Sequence, residues 1–144
     1  MVLLVSPGAP LQRIDVRGVP AGTYRELEFE VHRAAFADFL SGERYSIIIE
    51  GTVYPTGGAL PSPFTFRSRL DERQEFEFEP GLVAADDQGP VNVTMLIDTG
   101  RWFRSADGTA VADPRDPAQS ALIETNLRSS IRMFEDNDFD GKDD

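Results

Sequence analysis

Residues 23–31 read TYRELEFEV, and the alternation in this stretch decides the fold class. Leu27, Phe29 and Val31 fall on one side of an extended chain, whereas three glutamates fall on the other. A side-chain period of two is typical of a β-strand with one buried face and one wet face. The stretch therefore predicts an amphipathic strand in an antiparallel sheet.

The same alternation recurs along the chain. It appears in FTFRSRL at 64–70, in EFEFE at 75–79 and in VNVTMLID at 91–98. The segment YSIIIEGTV at 45–53 is apolar on both faces at its middle, which predicts a central strand. Turn signals such as YPTGG, EPG and DDQGP separate these runs. Short strands at such intervals predict an all-β fold, an antiparallel β-sandwich of the Ig-like or jelly-roll type.

One or two short helices are also expected. AAFADFL at 34–40 carries a helical apolar stripe, and DPAQSALIETN at 116–126 places Asp116 as N-cap before Pro117. LRSSIRMF at 127–134 fits both a strand and a helix, and we favour a last strand. The predicted organisation is a β-sandwich domain over 1–134 followed by an acidic tail over 135–144.

Composition excludes several classes of function. The chain has 144 residues, a net charge of −11, no cysteine and one histidine. The last ten residues contribute −5 of that charge and the rest −6, which disfavours nucleic acid and anionic membranes as partners. The opening MVLLVSPGAP has a short apolar run and no basic residue, so we expect no export signal in this chain and no direct membrane insertion.

The tail carries the strongest functional motif. DNDFDG at 136–141 has aspartates at positions 1, 3 and 5 and glycine at position 6 of a calcium loop like those of EF-hands and thrombospondin type 3 repeats. Alternate carboxylates in a tight turn can point at one hard cation, and a backbone carbonyl and a further acid come at positions 7 and 9. The expected Ca²⁺ ligands are Asp136, Asp138, Asp140, Lys142 and Asp144.

The calcium loop is half-complete in the sequence. No acid stands at position 12, so Glu135 or a carboxylate from another loop is expected to complete the coordination shell. The affinity should then lie in the extracellular range, with a Kd of roughly 10⁻⁴–10⁻³ M. The competing interpretation, a solvated acidic terminus, stays open at this point.

Two other residues could carry function. His32 has no nucleophile motif near it, so we expect a structural histidine and a protein that is not an enzyme. Trp102, in DTGRWFRSADG, is expected to close the end of the core; exposed, it could stack on a sugar. A carbohydrate-binding module is therefore the alternative function, with glycans as partners.

Several segments, in order, resemble a family of uncharacterised bacterial exported lipoproteins of the DUF4382-like group. They are VPAGTYRELEFEVHR, IEGTV, PFTF, FEFEPGLV, GPVNVTMLIDTGRWFRSADGT and IRMFEDNDFDGKDD. The resemblance implies a secreted or surface-anchored β-sandwich with no established activity, in an extracellular or cell-surface location. Family members carry further strands upstream, so we expect an open sheet edge that pairs with a second copy or with another surface protein.

Overall fold

The computed structural model describes residues 18–34, 42–55, 57, 59–85, 91–105 and 107–138. These residues form six strands and one α-helix, preceded by short 3₁₀ turns at Thr99–Arg101 and Pro117–Gln119. The elements are β1 (Gly22–Val31), β2 (Ile47–Val53), β3 (Ser62–Ser68), β4 (Glu72–Ala84), β5 (Val93–Ile97), α1 (Ser120–Ser129) and β6 (Ile131–Glu135). The predicted β-rich chain is confirmed. The predicted helix over 34–40 lies almost wholly outside the described residues.

The strands pair antiparallel in three sets. Within the described ranges, β1 pairs with β4, β2 with β3 and β5 with β6, and each set is a two-stranded sheet. Three small pairs do not amount to two stacked sheets, so the sandwich stays a prediction. The domain boundary at residue 134 stays one as well.

The apolar core lies between the β2–β3 hairpin and α1. Phe66 from β3 packs with Ile123 and Leu127 of the helix, and Ile123 is 0% exposed. Alternate residues of both strands turn to this side because a strand shows its faces in turn. The opposite face stays wet, and Ile48 is 49% exposed. The expectation of a central strand with two buried faces is therefore wrong for β2.

Local sequence sets the start of α1. The Asp116 carboxylate accepts the Ala118 N–H at 3.0 Å, and Pro117 opens the 3₁₀ turn that leads into the helix, as predicted. The segment LRSSIRMF is divided, since α1 continues to Ser129 and β6 begins at Ile131. The prediction of a single final strand over 127–134 is thus wrong for its first four residues. The apolar residues of this segment fit both a helical and an extended pattern. The structure contains both, first the end of the helix and then the strand.

β4 continues through the predicted EPG turn at 79–81, so that turn prediction is wrong. The strand absorbs the interruption as a bulge: Tyr24 faces Leu82 and Glu26 faces Glu77, which leaves four β4 residues opposite Arg25 alone. Proline is tolerated at such an irregularity because the local ladder is already broken there.

The wet face of the β1–β4 pair is a ladder of glutamates. Glu26 lies directly opposite Glu77, and Glu28 lies opposite Glu75. Arg73 relieves part of the repulsion, with Nη1 3.2 Å from Glu28 Oε2. Like charges in directly opposed positions destabilise a strand pair, so this face lowers the stability of the sheet.

We predict that Glu77→Gln raises the free energy of unfolding by about 0.2–1 kcal/mol at low ionic strength, because one of two opposed charges is removed. The gain should shrink as NaCl screens the repulsion. Urea denaturation at two salt concentrations measures both effects. The control is Glu30→Gln, whose cross-strand partner is Arg73 and which should give no gain. Equal stabilisation by both variants would show that any loss of negative charge stabilises the protein. It would contradict a specific repulsion between Glu26 and Glu77.

Candidate functional site

The acidic tail begins as a continuation of the β5–β6 ladder. Val93 of β5 pairs with Glu135, the last residue of β6. One step beyond, the Asp136 N–H donates to the Asn92 carbonyl at 3.1 Å. This hydrogen bond extends the β5–β6 pairing by one residue. It fixes the backbone of Asp136, the first predicted calcium ligand, against the residue that precedes β5.

The Asp136 side chain is part of the packed structure. It is 0% exposed, and the Thr94 hydroxyl donates to Asp136 Oδ2 at 2.6 Å. A buried carboxylate needs such donors because burial removes its hydration, and a short O–H···O contact is typical of a charge-assisted bond. The solvated-terminus interpretation therefore does not hold for Asp136.

The residues on either side of Asp136 reinforce the attachment. Asn137 Nδ2 donates to Glu135 Oε1 at 2.7 Å, and the Asn92 N–H points to Asn137 Oδ1 at 3.4 Å. Asp138 is exposed. Of the five predicted ligands, the structure therefore places two on one short segment after β6. The other three, Asp140, Lys142 and Asp144, lie outside the described residues.

Calcium binding stays a prediction. Among the described residues, no group of three or more histidine, cysteine, aspartate or glutamate side chains could hold a metal ion. Three of the five predicted ligands lie outside these residues. Glu135, the expected completing ligand, is adjacent to Asp136 and accepts a hydrogen bond from Asn137.

Sequence reasoning missed Thr94 and Asn92. Both residues stand in VNVTMLID, whose apolar alternation predicts a strand but does not identify the strand it pairs with. Their relevance depends on the register between β5 and β6, which are separated by more than thirty residues in the chain. A threonine on a strand carries no signal that it will face an aspartate so distant in sequence.

Trp102 packs against the core, as predicted. It is partly buried beside the Phe66 cluster, and its indole N–H donates to Ser130 Oγ at 2.9 Å. Asn126 Nδ2 also donates to the Trp102 carbonyl at 3.1 Å. These contacts hold Trp102 against the core and at the C-terminal end of α1.

His32 lies exposed at the end of β1, with Nδ1 3.0 Å from the Arg33 carbonyl oxygen. The prediction that the protein is not an enzyme stays a prediction.

The two largest pKa shifts that the structure gives belong to turns. Hydrogen bonds from Ser105 and Thr109 lower the pKa of Asp107 to about 2, and Arg115 lowers the pKa of Asp113 to about 2. Asp107 is exposed and Asp113 is half-buried. Their stabilising effect is complete above the ordinary aspartate pKa and is lost as the pH falls toward 2. Neither residue lies in the tail segment that holds the candidate site.

Comparisons with protein-family models, with curated proteins and with solved structures gave no match for this chain. The resemblance to the exported lipoprotein family therefore stays a prediction. Over the residues that the structure describes, no helix is both long and apolar enough to span a membrane.

We predict that Ser130→Ala lowers the free energy of unfolding by about 1–3 kcal/mol, because the indole N–H of Trp102 loses its acceptor in a closed environment. Ser130 is 2% exposed and also donates to the Leu127 carbonyl at 2.7 Å. Urea unfolding followed by fluorescence is a clean measurement, since Trp102 is the only tryptophan. Ser129→Ala, at the exposed neighbouring serine, is the matched control. Equal losses in both variants would contradict the specific role of Ser130.

Proposed function

We propose that this protein is a non-enzymatic structural or adhesive domain of the extracellular space or cell surface, stabilised by calcium at its acidic tail. The observation that carries the proposal is the burial of Asp136 and its anchorage to Thr94 and Asn92. A loop whose first ligand is already fixed loses less conformational entropy when it closes around a cation.

The anchorage also gives calcium a structural role. A cation held by Asp136 and by the carboxylates after it would tie the tail to the β5–β6 pair. Any ligand that binds only the folded chain stabilises it by RT ln(1 + [L]/Kd), about 1.4 kcal/mol at ten times Kd. With a Kd of roughly 10⁻⁴–10⁻³ M, that gain requires the calcium concentrations for which extracellular modules are suited.

The surface location is implied by the resemblance and agrees with the charge. A net charge of −11 keeps such a domain soluble and away from anionic lipid and nucleic acid. We further propose that the three strand pairs belong to a β-sandwich of the Ig-like or jelly-roll type. In each described pair, a strand is hydrogen-bonded to one neighbouring strand. Its other edge is therefore a place where a second copy or another surface protein could add a strand.

The glycan-binding alternative is less favoured. A stacking platform needs an aromatic face open to solvent, whereas Trp102 packs on the core and is fixed through its N–H. Its contacts support a role in joining α1 to the hairpin.

We predict that calorimetry detects saturable calcium binding with a Kd of roughly 10⁻⁴–10⁻³ M, and that calcium raises Tm relative to EDTA. The Asp138→Asn/Asp140→Asn double variant should lose both effects, because two hard oxygen ligands lose their charge. The control is Glu30→Gln/Glu75→Gln, which removes the same charge from exposed strand positions and should bind normally. Absence of heat and of any Tm change in the wild type would sink the proposal.

We predict concentration-dependent sedimentation if the strand edges assemble, with a shift to larger species at high protein concentration. Physiological ionic strength is required, because it screens the repulsion between acidic copies beyond about 8 Å. A single monomeric species up to the highest concentration would contradict assembly, with or without calcium.

A further inference from the structure

The wet face of the β2–β3 hairpin carries arginines on an otherwise acidic protein. Phe66 and Ser68 are buried, so Arg67 and Arg69, which alternate with them, lie on the opposite side of the hairpin. Both guanidinium groups lie over the ring of Tyr45, with Cζ 5.8 Å and 5.6 Å from the ring centroid. The ring therefore joins the two arginines into one surface, held by cation–π contacts.

Stacking on a ring leaves an arginine able to bind carboxylates. A guanidinium has five N–H donors at its edge, and one carboxylate engages two of them at most. Arg69 has one such partner in Glu43, with Nη2 2.5 Å from Oε1, and its side chain is still 51% exposed. The neighbour of Glu43 in the chain is Arg44, which is exposed. Arg69 can therefore accept a second carboxylate.

An apolar side chain completes this surface. Ile48 lies directly opposite Arg67 in the strand register, and about half of it is open to solvent. Tyrosine and arginine are over-represented where proteins meet, and an apolar neighbour adds area that contact removes from water. We name this surface the arginine face; its residues are Tyr45, Ile48, Arg67 and Arg69.

The glutamate ladder of the β1–β4 pair has the opposite charge. Its members, Glu26, Glu28, Glu75 and Glu77, are all exposed. Within the described residues, Glu28 has an ion pair with Arg73, whereas the other three have none. The directly opposed carboxylates repel each other, so cations placed over the ladder would relieve that repulsion.

The two surfaces are matched in spacing. Same-face neighbours along an extended chain are two residues and about 6.6 Å apart, which holds for Arg67 and Arg69 and equally for Glu75 and Glu77. Since neither of these glutamates has an ion pair among the described residues, the arginine face of the same chain does not reach them. A second copy of the chain carries the matching row of charges.

We propose that the arginine face of one copy docks on the glutamate ladder of a second copy. The two surfaces differ, so the contact is heterologous and continues from copy to copy unless a ring closes. It joins faces of the strand pairs, whereas strand addition joins their edges. It also requires no calcium, so it goes beyond the proposed function and does not depend on the acidic tail.

The test exchanges the charges of the two surfaces. Arg67→Glu/Arg69→Glu makes both surfaces acidic, and Glu75→Arg/Glu77→Arg makes both basic. Like charges in contact are strongly unfavourable, so each variant alone should self-associate at least about 10-fold more weakly than the wild type. An equal mixture of the two should associate again, because each then meets its opposite. Sedimentation at increasing protein concentration, in EDTA and about 0.15 M NaCl, measures all four samples.

The matched control is Arg104→Glu/Arg132→Glu, which makes the same change of charge at exposed positions of other segments. It should associate nearly as the wild type does. Equal loss in this control would show a net-charge effect and overturn the docking proposal. So would a monomeric wild type, or a mixture that stays monomeric. Assembly that persists in both exchanged variants would belong to the strand edges; it would overturn face docking and leave the proposed edge pairing intact.

A second measurement uses the wild type alone and applies if an exchanged variant does not fold, as judged by circular dichroism. Raising NaCl from about 0.15 M to about 1 M shortens the screening length from about 8 Å to about 3 Å, so docking through ion pairs should weaken. On dilution, the amide NMR signals of Arg67 and Glu77 should shift along one curve, with Ile123 in the core as the unmoved control. Association that is unchanged or stronger at high salt would overturn the proposal.

Discussion

The β2–β3 hairpin has one apolar face, and α1 covers it. A two-stranded hairpin alone is marginally stable in water, so the hairpin and the helix depend on each other through the contact of Phe66 with Ile123. The position of α1 then constrains the last strand, because β6 begins at Ile131, directly after the helix ends. β6 in turn pairs with β5 and delivers Asp136 to its buried position. The packing of α1 on the hairpin thus constrains where β6 starts and, through β6, the position of Asp136.

The sequence predicted elements whose signal is local. Period-two alternation located β1, β3, β4 and β5, and in β1, β3 and β4 one face is more exposed than the other over most of the strand. Asp116 and Pro117 marked the start of the helical region because capping is decided within a few residues. The failures concern tertiary context. Whether Ile48 is covered by other residues depends on the packing of the fold. Whether Pro80 ends β4 or lies in a bulge depends on the pairing of β4 with β1.

The candidate site also combines features that the sequence predicts with features that depend on tertiary contacts. The spacing of Asp136 and Asp138 was readable, because a calcium loop is a contiguous motif. The burial of Asp136 and its bond to Thr94 were not, because they depend on a strand register set across a long sequence separation. An acidic tail is ordinarily solvated, and here Asp136, the first residue of the calcium-loop motif, is buried. The structure therefore attaches the first residue of the motif to the β5–β6 pair.

The tail joins the fold through Asp136, whose side chain is buried and bonded to Thr94. The most direct test compares the unfolding free energies, in EDTA, of chains that end after Glu135 and after Asn137. The shorter chain should be less stable by about 1–3 kcal/mol, since the hydrogen bonds to Thr94 and Asn92 are lost. Equal stability of the two chains would show that Asp136 adds nothing to the fold.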